Sequence, residues 1–241
     1  MVILVGPNLV VASANAQQIH FSETDFDKVT FSQMSTVEAR RKCEEALQDR
    51  LLLIVKTVKP SSGERERLMM AGKLDIHRYF ARYDEAKRKI PFGSVPRDEW
   101  QQISSESHAA VRSISREFMA GLHGTGSLFR GTLVGILDAE ELRRVATAQE
   151  SAARAEYADH IDTALLVVGR QVKLPSAKRM RIKTVLLEQT KPPAMLGSSL
   201  MPLYFVLANM GELEEELRPL FDDEEWKTVG KLIQAGRTAT R

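Results

Sequence analysis

Apolar residues recur along this chain three and four positions apart, the period of a helix, and the alternation expected of a strand persists nowhere. The pattern is clearest over residues 161–193. Ile161, Leu165, Val168 and Val172 share one stripe, and the chain turns at Leu174-Pro175-Ser176. Either Pro175 or Ser176 opens a second helix, whose face carries Met180, Ile182, Val185, Leu186 and Gln189. Pro192-Pro193, which supply no amide hydrogens, end it.

Upstream, Val37, Cys43, Leu47, Leu51, Ile54 and Val58 predict one long helix. Leu68, Gly72, Ile76, Tyr79, Phe80 and Tyr83 predict another, from about Glu64 to Lys89. The breaker at 60–63 joins the two into an antiparallel hairpin. Asp98 caps a third helix with Trp100, Ile103, Val111, Ile114 and Phe118, which ends in the loop Gly121-Leu122-His123-Gly124-Thr125-Gly126. Ser127 caps a fourth with Leu128, Phe129, Leu133 and Leu137, and a long helix runs from Glu140 through Tyr157 into the 161 stripe. After Pro193 come an apolar stretch at 200–210, an acidic stretch at 212–220 cut by Pro219, and a last helix over 222–235. The predicted fold is all-α, with antiparallel helical hairpins packed as an irregular bundle and no sheet.

The helix starts share a local chemistry. Ser35-Thr36-Val37-Glu38, Leu137-Asp138-Ala139-Glu140-Glu141 and Phe221-Asp222-Asp223-Glu224-Glu225 each place a capping oxygen before a carboxylate. Residues 58–64, with Ser61 and Glu64, are a looser version. The cap oxygen accepts from the free amides of the first turn and the carboxylate returns the bond, which stabilises each start by roughly 1 kcal/mol over alanine.

Three outer features set the organisation. Residues 1–16, MVILVGPNLVVASANA, are apolar and then small, ending in Ala14-Asn15-Ala16, which matches the hydrophobic region and cleavage site of a secretory signal. The basic leading part is missing, since the first Lys or Arg is Lys28. Residues 17–35 read as an extended lead-in, and 36–241 as a helical domain divisible at the glycine loop into 36–122 and 127–236. The expected localisation is periplasmic or otherwise exported, and no later stretch approaches the length of a transmembrane helix.

Composition excludes several functions. At 241 residues and 43 % hydrophobic content the chain can bury a sizeable core. A net charge of +2 gives no global field for nucleic acid, and aromatics at 6 % give little to stack on bases. The single cysteine, Cys43, excludes an internal disulfide and a cysteine metal cluster, and its spacing makes it a small residue of a buried face.

The five histidines include no pair at zinc spacing, so no metal or cofactor is expected. Asp75 and His77 diverge by about 200° around a helix. The 121–126 loop lacks both the preceding strand and the lysine of a phosphate cradle, and reads as a helix–helix connection.

Charge is more informative. Arg170, Lys173, Lys178, Arg179, Arg181 and Lys183 cluster in one stretch, and residues 212–225 are strongly acidic. Either the two stretches help dock the C-terminal helices on each other, or the basic residues form a face for an acidic protein partner or for lipid headgroups.

Residues 68–80, 185–193 and 217–226, taken together, resemble an uncharacterised family of exported, helix-rich bacterial proteins, over about 37–235. The resemblance implies export and no known activity. The repeated apolar-cap-carboxylate starts also resemble the Leu-Thr-x-x-Gln motif of the periplasmic LTXXQ (Spy- and CpxP-like) chaperones, although no copy carries both the Thr and the Gln.

The leading expectation is therefore an exported, non-enzymatic helical protein that binds other polypeptides, as a chaperone-like cradle or an envelope sensor. The competing expectations are an enzyme whose site is assembled from separated residues such as Asp75, His77 and His123, and a structural envelope component. Convergence of those three side chains in one pocket is what the enzyme requires.

Overall fold

A computed structural model of the chain describes residues 18–96, 111–193 and 201–240. The stretch read as a secretory signal, and Asp98, Trp100 and Ile103 at the start of the third helix, lie outside the described residues.

The described residues are predominantly helical. Their one sheet is a short ladder, β1 (Gln18–Phe21) antiparallel to β2 (Gly93–Pro96), with Gln18 opposite Pro96 and Phe21 opposite Gly93. Four residues a side are too few for alternation to register, and the second strand begins with a glycine and ends with a proline. The bundle therefore carries a small two-stranded sheet where its pattern predicts none.

Residues 17–35 depart further from the expected extended lead-in. After β1 they form α1 (Glu23–Thr30), started by a capping box between Ser22 and Asp25. An Asp at the third helical position, where Glu or Gln is usual, hides that start from the sequence signature. Phe26 and Phe31 are fully buried, and left-handed Ser32 and Gln33 turn the chain back so that Met34 is buried too.

α2 (Thr36–Val58) and α3 (Ser62–Arg88) form the expected hairpin, opened by the Ser35–Glu38 and Ser61–Glu64 capping boxes. All six apolar-face residues predicted for α3 are buried. On α2, Ala39, Cys43, Leu47, Leu51 and Ile54 are buried, and Leu47 packs where a Cβ on Gly72 would stand. Val37 is 78 % exposed, because six residues before Cys43 it lies about 120° off the stripe. Burial pushes the Cys43 thiol up to about 12, as befits a packing residue.

A polar knot ties α1 to this hairpin. Asp27 accepts from the Tyr83 hydroxyl, from Thr36 Oγ1 at 2.8 Å and from Lys87 Nζ at 3.1 Å, and Lys87 also reaches Glu23 at 3.0 Å. Burial alone would raise the Asp27 carboxyl, but the three hydrogen bonds outweigh it and hold the group below its ordinary value. A carboxylate depressed in this way stabilises the fold above its unfolded value of 3.8, and the contribution is lost as pH falls through the folded value. Asp27→Asn is expected to cost about 2 kcal/mol at pH 7. In urea denaturation the gap from the parent should hold down to about pH 4 and shrink only below 3.8.

A helix over 111–120, α4, is followed by α5 (Leu128–Ile136) and α6 (Ala139–Gly169), a single 31-residue helix about 46 Å long. Two apolar clusters lie along the chain. The first gathers residues from α1 to α5 with Val145 of α6, and the second begins with Tyr157 of α6. The clusters therefore part within α6; Phe129 and Leu133 of α5 belong to the first, whereas a division at the glycine loop would group them with the second.

The second cluster adds α7 (Ser176–Gln189), α8 (Met201–Glu212), α9 (Glu214–Leu217), a 3-10 turn (Arg218–Leu220) and α10 (Asp223–Ala239). Ile182, Val185 and Leu186 bury as predicted, whereas Met180 is 62 % exposed because it lies about 200° from Ile182, and Gln189 is exposed as well. Inside this cluster Asn209 Nδ2 donates to the Tyr157 hydroxyl at 2.9 Å, Tyr157 pairs with Thr190 Oγ1 at 2.7 Å, and Thr190 donates to the Leu186 carbonyl at 2.6 Å. Since Thr190 donates onward, Tyr157 is the donor to it, and each buried hydroxyl in the relay is satisfied. No helix among the described residues is long and apolar enough to cross a membrane.

Candidate functional site

The outer side of α3 carries Asp75, Arg78 and Arg82 three and four residues apart, so they form one stripe beside the apolar face. Opposite them stand the end of α4 and the loop 121–127. Together they enclose an open cleft of about 950 Å³, bordered by Asp75, His77, Arg78, Arg82, Glu117 and the loop residues other than His123. Two bridges brace the α3–α4 wall. Arg82 pairs with Glu117 at 2.5 Å, and the Tyr79 hydroxyl donates to the Ile114 carbonyl at 3.2 Å. Gly121 and Gly126, at φ 83° and 86°, supply the left-handed turns that fold the loop back on itself.

Asp75 fixes the far wall. Its Oδ1 accepts from the Leu128 amide and its Oδ2 from the Phe129 amide, each at 2.9 Å, so a carboxylate of α3 caps α5 from 53 residues away. Ser127 caps the same end locally, accepting from the Arg130 amide at 3.0 Å and donating to the Gly124 carbonyl at 2.8 Å. The first amides of α5 are thus occupied from within the fold, in keeping with a helix–helix connection.

His123 stands behind this wall, 5 % exposed, with its ring 5.2 Å from that of Phe129. Nδ1 is 3.8 Å from Asp75 Oδ2, too long for a hydrogen bond, and neither ring nitrogen has a partner. Its carbonyl accepts from Arg50 at 2.6 Å. Burial, and then Arg50, push the imidazole below its ordinary value, while Asp75 pulls the other way. The ring is neutral at pH 7.

Of the three residues that an assembled enzyme site would use, Asp75 and His77 border the cleft, but His123 does not. The Asp75 oxygens serve helix amides, and the His123 ring faces the core. The geometry makes Asp75 a positioning group for the loop and α5. Sequence reasoning missed Arg50, Arg82 and Glu117. The local trace of the cleft was the Asp75-Arg78-Arg82 spacing, legible only as a stripe.

The basic stretch of α6 and α7 divides. Lys178 meets Glu225 at 2.6 Å and lies 4.3 Å over the Phe221 ring, and Lys183 meets Asp162 at 2.6 Å. Arg179 is partly buried beside Gly169. Arg170, Lys173 and Arg181 are exposed. Arg181 and Lys183 lie about 200° apart around α7, so the six cations do not share one face. The Lys178–Glu225 pair does join the basic stretch to the acidic one.

Compared with protein-family models, with curated proteins and with solved structures, the chain matches none.

Proposed function

We propose that this protein is a non-enzymatic, chaperone-like module that takes an extended apolar segment of an unfolding polypeptide into the cleft between α3, α4 and the 121–127 loop. The observation that carries this reading is the cleft itself. Its volume falls in the range of built ligand sites, and three of its four charged side chains, Asp75, Arg82 and Glu117, hold its own walls. What it offers a ligand beyond those charges is glycine-rich backbone with the apolar side chains of Ala81, Ala120 and Leu122.

Met70 and Leu74 lie on α3 just before the cleft lining begins at Asp75. They are 63 % and 45 % exposed, and with His77 they are spaced four and three apart, so two exposed apolar side chains share a face of α3 with His77 at the cleft border. Methionine adapts its shape to varied apolar partners. Export is part of the proposal and rests on the apolar and small residues of 1–16, together with the resemblance to exported helical families.

A reduced, unfolding client protein tests it. The protein should suppress the client's aggregation, Met70→Glu with Leu74→Glu should lose that effect about tenfold, and a photo-crosslinker at exposed Thr125 should capture the client. Absence of both suppression and capture would sink the reading.

A further inference from the structure

The carboxylate that closes the cleft wall has a competitor behind it. Asp75 pins the start of α5 to α3 through the Leu128 and Phe129 amides. On its other side is a buried imidazole at 3.8 Å with two unpartnered nitrogens. The groups that bear on that ring are few: Arg50 from α2, Asp75 from α3 and the Phe129 ring from α5, with Arg130 of α5 acting on Arg50. One guanidinium thus opposes one carboxylate, and burial tips the balance toward the neutral ring.

We propose that His123 is an acid-operated latch, which on taking up a proton releases the 121–127 loop and the first turn of α5 from Asp75 and opens the cleft. An imidazolium in the closed wall would be buried beside Arg50, facing a carboxylate already engaged by two amides. With the loop released, the same ring is solvated. The open form therefore binds one proton more than the closed form, so acid favours opening.

The sign is fixed by that difference. His123 is depressed in the closed form, so its contribution to closure is complete above the ordinary value of 6.5 and is lost as pH falls below it. One proton makes the open-to-closed ratio grow by up to tenfold per pH unit in that window. The carboxylates held low elsewhere, Asp25, Asp27, Glu38, Glu64 and Glu85, act below their own ordinary values of 3.8 to 4.5, so the two windows are separate. Control of client capture by this latch rests on the cleft reading above, but the latch can be tested with no client present.

The test is amide hydrogen exchange on the full chain, read as protection factors from pH 7.5 to 5.0. Protection at Leu128 and Phe129 should fall by up to tenfold per unit below pH 6.5, while Ile233 in α10 stays level. His123→Gln should flatten the profile at both amides. A level profile in the parent protein, or a fall that persists in His123→Gln, overturns the latch. Should that variant not fold, the NMR titration of the parent decides: a His123 midpoint below 6.5 that tracks the loss of protection supports the latch, and a midpoint at or above 6.5, or one without that loss, overturns it. Failure to capture a client while the latch titrates as stated removes the cleft reading alone.

Discussion

Gly236→Ala should lower the melting temperature sharply, while Gly230→Ala, six residues earlier in the same helix, should raise it. Both glycines lie inside α10, so each alanine gains the same helical preference, about 1 kcal/mol. They differ in what the new methyl meets. At Gly230 a Cβ has nothing within 4 Å. At Gly236 it would stand 2.7 Å from the Tyr204 carbonyl oxygen and 2.8 Å from the Ala208 amide nitrogen. Those are backbone atoms of α8 and cannot swing aside, so the whole helix must retreat.

The retreat would disturb the most extensively packed pair of helices in the described structure. Gly211 on α8 faces Ile233 and Arg237 at the same crossing, and Arg237 donates to the Gly211 carbonyl at 2.7 Å. Overpacking of this kind costs about 1–3 kcal/mol or more, against the shared gain in propensity. The two variants should differ by about 3 kcal/mol, or roughly 6–12 °C in melting temperature for a chain of this length. A Gly236→Ala protein that melts with or above the parent would mean that α8 and α10 do not make this contact.

These two glycines also mark where sequence reading stops. Periodicity alone located the buried face of α3 residue by residue, and the long run of α6, because a stripe along a helix is a local property of the chain. It failed at Val37 and Met180, apolar residues that sit near a stripe in sequence but well off it in angle. Capping boxes were legible wherever the third position is Glu, and missed at Ser22, where it is Asp.

The cleft was the least legible part. Asp75 is an ordinary helical carboxylate until the amides of Leu128 and Phe129 arrive from 53 and 54 residues away, and Gly236 is an ordinary helical glycine until α8 is laid against it. Nothing within a helical turn of either residue encodes that partner. The basic stretch misled for a related reason. Adjacency in sequence gathers its six cations, but a 100° step per residue disperses those of α7, and two of the six are drawn into ion pairs with Asp162 and Glu225.

Phe31→Ala should cost about 3–5 kcal/mol, among the largest losses available to a single truncation in this fold. The residue sits in the segment whose composition reads as a polar lead-in, yet it is 0 % exposed. Its ring packs at 4.8 Å from Tyr83, 5.2 Å from Phe118 and 5.9 Å from Phe80, so it joins α3 to α4 from the side. Removing it opens a cavity among rings that are themselves fully buried, and Tyr83 and Tyr79 are held by hydrogen bonds that prevent them from collapsing into the gap. Val29→Ala, on the exposed side of α1, supplies the contrast and should stay within about 0.5 kcal/mol of the parent. Urea denaturation followed by tyrosine fluorescence reads both. A Phe31→Ala loss under about 1 kcal/mol would return residues 17–35 to the status of a loosely attached leader, and with it would go the argument that α1, the Asp27 knot and the α2–α3 hairpin share one core.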